Sequence, residues 1–346
     1  MGEYVRLKSP EELAKRKRNI IVLLVLFAAI ILAFMASMNT GFIRLSPSDL
    51  VNTLFGNGTA QQNLILYEFR LPRIVISVLI GAGLALSGCV LQSVSRNALA
   101  DAGIIGINSG AGFMILMYVA FFPTITAVSA FVLPLLAWVG GGIAALLVFV
   151  MSYRKHRGLS SNRLILNGIA LNSGISAATI VITLRISPEQ YQFVATWMAG
   201  SIWGKDWKFV MALLPFICVL LPYVYFKSQT VNVLALGNQL ATNLGAAVSR
   251  EQLLLLGAAV GLAGSCVAVS GSIGFVGLIA PHLAKRLVGQ RYQILLPTTV
   301  LTGSLLVLVA DTLGRWVFQP SEIPTGIVVA VIGAPYFLYL LVRSKG

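Results

Sequence analysis

Gly271-Ser272-Ile273-Gly274-Phe275-Val276-Gly277-Leu278-Ile279-Ala280-Pro281-His282-Leu283-Ala284-Lys285-Arg286-Leu287 decides how often this chain crosses a membrane. Its apolar part, Gly274 to Leu287, runs about 14 residues, whereas a helix needs about 20 to span the hydrocarbon. Pro281 and His282 interrupt it. Alone it reads as a re-entrant segment or a short buried helix. Pro281 and His282 are expected to fix a kink or turn whose freed backbone groups must find partners. A lone His is a poor metal site, because zinc takes three or four ligands and nothing nearby in the sequence supplies them.

Nine other apolar runs flank this stretch: 19–38, 74–94, 98–122, 129–151, 164–184, 209–226, 253–269, 294–316 and 323–342. Composition agrees with a chain made mostly of spans. Of 346 residues, 57% are hydrophobic and 10% charged, against about 25% charged in a soluble domain. Mean hydropathy is +0.87. A water-soluble globule cannot hide that much apolar surface, so lipid must cover it. The formal charge of +14 sits in short loops between the runs and reports topology, not nucleic-acid binding.

Charge bias tests the parity. With the N-terminus inside and ten spans, the inner side receives Arg6, Lys8, Lys15, Arg16, Lys17, Arg18, Arg96, Arg154, Lys155, Arg157, Arg163, Lys227, Arg250, Lys285, Arg286, Arg291, Arg343 and Lys345. Arg44, Arg70, Arg73, Arg185, Lys205, Lys208 and Arg315 fall outside. Dropping the eighth span would send Arg291, Arg343 and Lys345 outside too. Ten spans with both termini cytoplasmic is therefore the expected fold, an all-α polytopic membrane protein with residues 1–18 as a cytoplasmic lead-in and helices over 19–343. The first run, with its loose resemblance to a signal-peptide cleavage region at Ala33-Phe34-Met35-Ala36-Ser37, is too long for a signal h-region and is read as a retained helix.

Gly83-Leu84-Ala85-Leu86-Ser87-Gly88 and Ala259-Val260-Gly261-Leu262-Ala263-Gly264 lie half a chain apart, each followed by an irregular glycine-rich stretch, 97–112 and 271–289. Five spans per half make such repeats inverted, and interrupted segments in corresponding places commonly mark a transport pathway. Gly106 and Gly110, like Gly257, Gly261 and Ser265, are spaced for close helix packing. Cys89, Cys218 and Cys266 lie in apolar runs without partner spacing and read as small buried hydrophobes. Of two longer external segments, 39–73 and 185–208, the second carries Trp197, Trp203 and Trp207 and suits an interfacial helix.

Polar residues concentrate in two places. Gln92, Arg96, Asn97 and Asp101 need partners near membrane depth; the plain reading is a structural network between the second and third helices, the sharper one a role in gating. The loop 227–252 holds Leu236-Gly237-Asn238-Gln239-Leu240-Ala241-Thr242-Asn243-Leu244-Gly245, two glycine breaks around a short helix. That is a compact knob which a partner's groove can hold; an amphipathic interfacial helix is its plain alternative.

Leu71-Pro72-Arg73, the Gly88–Asp101 run leading to Gly106-Ile107-Asn108-Ser109-Gly110-Ala111, Gly274-Phe275-Val276-Gly277-Leu278 ending in Pro281-His282, and Glu322-Ile323-Pro324-Thr325-Gly326 with Gly333-Ala334-Pro335 stand in this order. Together they resemble the FecCD-type permease family of bacterial ABC importers for iron-siderophore complexes, haem and cobalamin. The resemblance implies a single permease domain over 1–346 in the bacterial cytoplasmic membrane, pairing with an identical or homologous permease around a central path. It further implies two ATPase subunits that hold ATP and Mg, and an extracytoplasmic binding protein that delivers substrate. Gln92, Arg96, Asn97, Asp101, Gly106, Gly277, Pro281 and His282 would belong to the family motifs and the gate, and Leu236 to Gly245 would be the coupling helix. Arg70, Arg73 and Arg315 would meet glutamates of the binding protein, where a guanidinium fork pairs bidentately with carboxylate. The family usually places an acidic residue after the first glycine of the knob and a basic one nearer the second; Asn238 and Thr242 are neutral, which questions ion pairs there but not shape docking.

The chain has no Gly-x-x-x-x-Gly-Lys-Ser/Thr loop and is not expected to be the motor or an enzyme. No cofactor or metal is expected on it. An ion-coupled secondary transporter, the rival class, should carry several acidic residues within its spans; only Asp101 and Asp311 come close. Paired carboxylates or a nucleophile–base spacing that would support a membrane enzyme are missing from the sequence.

Overall fold

A computed structural model describes residues 10–40, 47–122, 131–154, 158–317 and 321–343. Arg6, Lys8, Arg44, Lys155, Arg157 and Lys345, and the start of the fourth expected run, lie outside the described residues. The chain opens with α1 (Pro10–Asn39), α2 (Pro47–Leu54) and α3 (Ala60–Asn63), then a π-helical stretch (Leu64–Arg70) that runs into α4 (Leu71–Ser95). After α5 (Ile107–Phe121) and α6 (Val132–Ser152), strands β1 (Tyr153–Arg154) and β2 (Gly158–Leu159) pair antiparallel as a small hairpin. Next come α7 (Ser161–Thr183), α8 (Pro188–Met198), α9 (Trp207–Phe226), α10 (Ser228–Ala235) and α11 (Asn238–Asn243). The last four are α12 (Val248–Ser270), α13 (Val276–Val288), α14 (Tyr292–Trp316) and α15 (Thr325–Arg343).

Seven helical stretches, those of α1, α4, α6, α7, α9, α12 and α14, are long and apolar enough to cross a membrane, and α5 and α15 are shorter apolar helices. The debated eighth run is helical as α13, 13 residues or about 20 Å. Side-chain ties fix its direction and that of its neighbours. One end of the bundle carries α10 and α11, where Asn232 reaches Gln293 and the Tyr292 amide at the start of α14. At the other end Arg315, late in α14, reaches Ser37 and Thr40 at the end of α1, and Thr325 at the start of α15 donates to Asp311. Because α12 leaves the α11 end and α14 starts there, α13 must return to it. Both described ends of the chain, the start of α1 and the end of α15, therefore lie at the α11 end, as a ten-helix count requires.

The five-helix halves exchange partners. α4 packs on α14 and α13, and its counterpart α12 packs on α6 and α5; α5 against α6 is repeated as α13 against α14. α4 and α12 form the core, with 83% and 72% of their most apolar stretches buried, whereas α1 and α7 have 6% each. Lipid offers no hydrophobic drive for such packing, so the backbones must approach closely. At Gly88 of α4 an added Cβ would collide with the Gly277 backbone of α13, and at Gly81 with Gly303 of α14.

Two boundaries differ from expectation. The third run was expected from 98, but α5 begins only at Ile107, because Asn97 folds its side chain onto the Leu99 amide (2.8 Å) and Gly106 takes a left-handed φ of 91°. Only part of the tryptophan-bearing external segment is helical: α8 holds Trp197, while Trp203 sits in an exposed turn and Trp207 starts α9, its Nε1 donating to the Tyr67 carbonyl at 2.7 Å.

Candidate functional site

The two interrupted segments meet inside the bundle. Pro281 has no N–H, so within α13 the carbonyl four residues earlier, that of Gly277, loses its helical donor. Gln92 of α4 supplies the replacement, its Nε2 donating to the Gly277 oxygen at 3.1 Å, and its Oε1 accepts from Lys285 Nζ at 3.1 Å. One glutamine thus satisfies a backbone break and a part-buried cation. Asp101, from the other interrupted segment, lies beside the Phe275 amide and against Gly277. His282 stacks edge-on with Tyr336 of α15, ring centroids 6.0 Å apart. Among the described residues no group of three or more His, Cys, Asp or Glu could hold a metal ion.

One turn beyond Gln92, α4 ends at Arg96 in a left-handed conformation, φ 50°. That backbone is uncommon for a branched-free cationic side chain and costs about 1 kcal/mol or more. It aims the guanidinium at the α11 knob: Arg96 donates to Asn238 Oδ1 at 3.2 Å, and Gln252 of α12 donates to the same oxygen at 3.3 Å. Gly237 at φ 106° and Gly245 at φ 82° bracket α11. Ala241 is buried beneath it, while Leu236, Leu240 and Leu244 are 55–65% exposed on the outer face. Leu240 on α11 and Leu236 and Leu244 just outside its two ends leave apolar side chains open to be covered.

The opposite end holds an ion cluster. Asp311 is fully buried and receives Arg73 through Nε at 3.1 Å and Nη2 at 2.9 Å, with Thr325 Oγ1 at 3.0 Å and Arg315 Nε at 3.4 Å. Arg73 Nη1 pairs with Glu322 at 2.7 Å. Arg70 donates to the Met38 carbonyl, and Arg315 to Ser37 and to the Thr40 carbonyl. Arg70, Arg73 and Arg315 are the three residues expected to meet the binding protein. All three are 8% exposed or less, and hydrogen bonds or ion pairs within the chain tie each of them, joining the ends of α1, α4, α14 and α15. Glu322 and Asp311 are the partners that the sequence reading missed.

A polar face on α7 was also missed. An open hollow of about 550 Å³ is lined by Asn172, Ser173 and Ser176 together with Gly103 and Ile104 of the first interrupted segment. Asn172 Nδ2 donates to the Gly103 carbonyl at 2.9 Å. The signal was present in the sequence: α7 has the lowest mean hydropathy of the seven long spans, 1.6, yet little of it is buried. Such a helix faces something more polar than lipid.

A family model described as the FecCD transport family matches residues 29–343. The chain belongs to this family. Its relatives include the iron(3+)-hydroxamate import system permease protein FhuG of Bacillus subtilis, 45% identical over 96% of this chain and 99% of the relative. The iron-uptake system permease protein FeuC of the same organism is 41% identical over 92% and 97%. The Fe(3+) dicitrate transport system permease protein FecD of Escherichia coli is 37% identical over 81% and 86%. Among solved structures, a metal-chelate type ABC transporter in an inward-facing conformation superposes with a TM-score of 0.82 at 31% identity, over 93% of this chain and 99% of that one.

Proposed function

We propose that this chain is the membrane-spanning permease subunit of an ABC importer that moves a ferric chelate of the siderophore class into the cytoplasm. The observation that carries the reading is near-full-length similarity to permeases whose names give iron(3+)-hydroxamate, iron and Fe(3+) dicitrate as cargo. Those names favour ferric chelates over haem or cobalamin. The end bearing α11 is cytoplasmic, in keeping with its share of Lys and Arg, and a partner ATPase with its own ATP and Mg seats the exposed leucines of the knob. A second permease, identical or homologous, faces α7, so that Asn172, Ser173 and Ser176 line a path between the two. A binding protein delivers the chelate from the opposite side. The chain itself performs no chemistry on the cargo and leaves the iron inside its chelate.

Coupling follows the contacts. Closure of the ATPases moves α11; Asn238 passes that movement to Arg96 at the end of α4, and Gln92 passes it to the α13 break at Gly277. Alternating access then needs only the few rigid elements that these side chains join.

The test is uptake of radiolabelled iron bound to hydroxamate and citrate chelators, in cells lacking the chain and in cells complemented with wild type or Leu240→Glu. Uptake of one chelate that is lost, restored by wild type and not by the knob variant supports the reading. Iron uptake independent of the chain overturns it.

A further inference from the structure

An open groove of about 830 Å³ runs between α6, α9 and α12, lined by Trp138, Phe216, Val219, Tyr223, Leu253 and Gly257 among others, nearly all of it apolar. It plays no part in the ion cluster, the break or the knob. On α12, Arg250, Leu253, Leu254, Gly257 and Gly261 recur at offsets of three, four, seven and eleven residues and so share one face. Arg250 stands exposed at the α11 end of that face. Beside it Lys227, at the end of α9, pairs with Glu251 at 2.8 Å, a neutral tie between the two walls that leaves Arg250 as a cation on this face. Tyr223 lies one turn inside, among the lining residues.

Length selects the occupant. From Leu253 to Gly261 the lining runs about 12 Å, and Arg250 stands one turn beyond it, so that the two together cover about 16 Å, roughly half of the ~30 Å hydrocarbon layer. There it stops, because Trp138 sits against Gly264, close enough that an added Cβ would touch its ring, and packs on Phe216 with centroids 6.2 Å apart. A crossing helix from another subunit would need the full thickness. An acyl chain from one leaflet needs half of it and brings a phosphate to the mouth, where Arg250 meets it. Basic pockets at the cytoplasmic ends of membrane helices recognise anionic headgroups in this way.

We propose that this groove is a binding site for an anionic phospholipid of the leaflet on the α11 side, with its headgroup phosphate on Arg250 and one acyl chain between α9 and α12. The site requires only that the chain lie in a bilayer, so it stands apart from the transport reading.

The test uses the full chain purified in detergent and mixed with equimolar phosphatidylglycerol and phosphatidylcholine, with retained lipid counted by native mass spectrometry. Wild type should retain phosphatidylglycerol about fivefold over phosphatidylcholine, the preference that one membrane-surface cation confers. Arg250→Gln should bring the ratio to parity, and Arg250→Glu should push it below. Gly257→Leu, at a position where an added Cβ meets no atom within 4 Å, should empty the groove with the lipid-free melting temperature unchanged. Parity in wild type, meaning annular lipid only, overturns the proposal, as does a preference that survives these variants. Efficient crosslinking of Gly257→Cys to a second copy, in a Cys218→Ser background, would assign the groove to a helix and overturn it as well.

Discussion

Replacing Gln92 by Leu removes the donor that serves the Gly277 carbonyl, and the cost depends on residue 281. With Pro281 in place, the carbonyl is left buried without a partner, a loss of about 1–3 kcal/mol. Lys285 also loses its acceptor, worth about 1.5 kcal/mol, the low end for a hydrogen bond to a charged group, because the pair is part-buried. In a Pro281→Ala background the alanine amide is four residues from Gly277 and closes the ordinary helical hydrogen bond. There the same Gln92→Leu change should cost only the Lys285 contact. The double-mutant cycle should thus give a coupling energy of about 1–2 kcal/mol between residues on different helices. Unfolding of the full chain in mixed micelles, followed by tryptophan fluorescence as denaturing detergent is raised, measures all four corners. If the two substitutions add to within about 0.5 kcal/mol, as independent sites do, Gln92 is not the surrogate donor and the reasoning fails.

Asp311→Ala leaves Arg73 and Arg315 buried without their shared carboxylate and should destabilise the chain by about 3–5 kcal/mol, seen as a large drop in melting temperature or in the yield of folded protein. Gly88→Val drives a side chain into the Gly277 backbone and should cost about 1–3 kcal/mol, the range for overpacking, whereas Gly142→Val, where nothing lies within 4 Å, should be near neutral in the same assay. Leu236→Glu and Leu244→Glu, both exposed on the knob, should abolish copurification of the ATPase and leave the melting temperature of the isolated permease unchanged. A fall in melting temperature that matches the loss of copurification would count against a docking role.

The crossing helices were legible because each is a long apolar run, and lipid allows few other backbone arrangements. α13, the doubtful one, was recovered through the charge of its flanks more than through its own length. The stretch before α5 was legible as irregular, but not where its helix starts: its apolar residues extend the expected span back to 98, and the turn is set by a single Asn97 side-chain bond and the backbone of Gly106. Pro281 announced a freed carbonyl, and the structure supplies Gln92 as its partner. The ion cluster lay beyond reach for another reason. Arg73 and Asp311 are separated by 238 residues, and three arginines at helix ends look the same in sequence whether they face water or one another. The small helices α2 and α3, too short to carry periodicity, were likewise invisible.

The staple on α1 carries a consequence for biosynthesis. Ser37 and Thr40, at its end, are held by Arg315, which lies 278 residues downstream of Ser37. At ribosomal rates of about 5–20 residues per second, the first helix therefore waits roughly 15–55 s in the bilayer before this fastener is made. In that interval Arg70, which reaches the Met38 carbonyl, is already in place, and the hydropathy of the helix's most apolar 18-residue stretch, 3.1, the highest among the long spans, keeps it in the bilayer. When α14 arrives, the first helix gains its main packing surface and its second fastener, and ceases to be a loosely tied anchor.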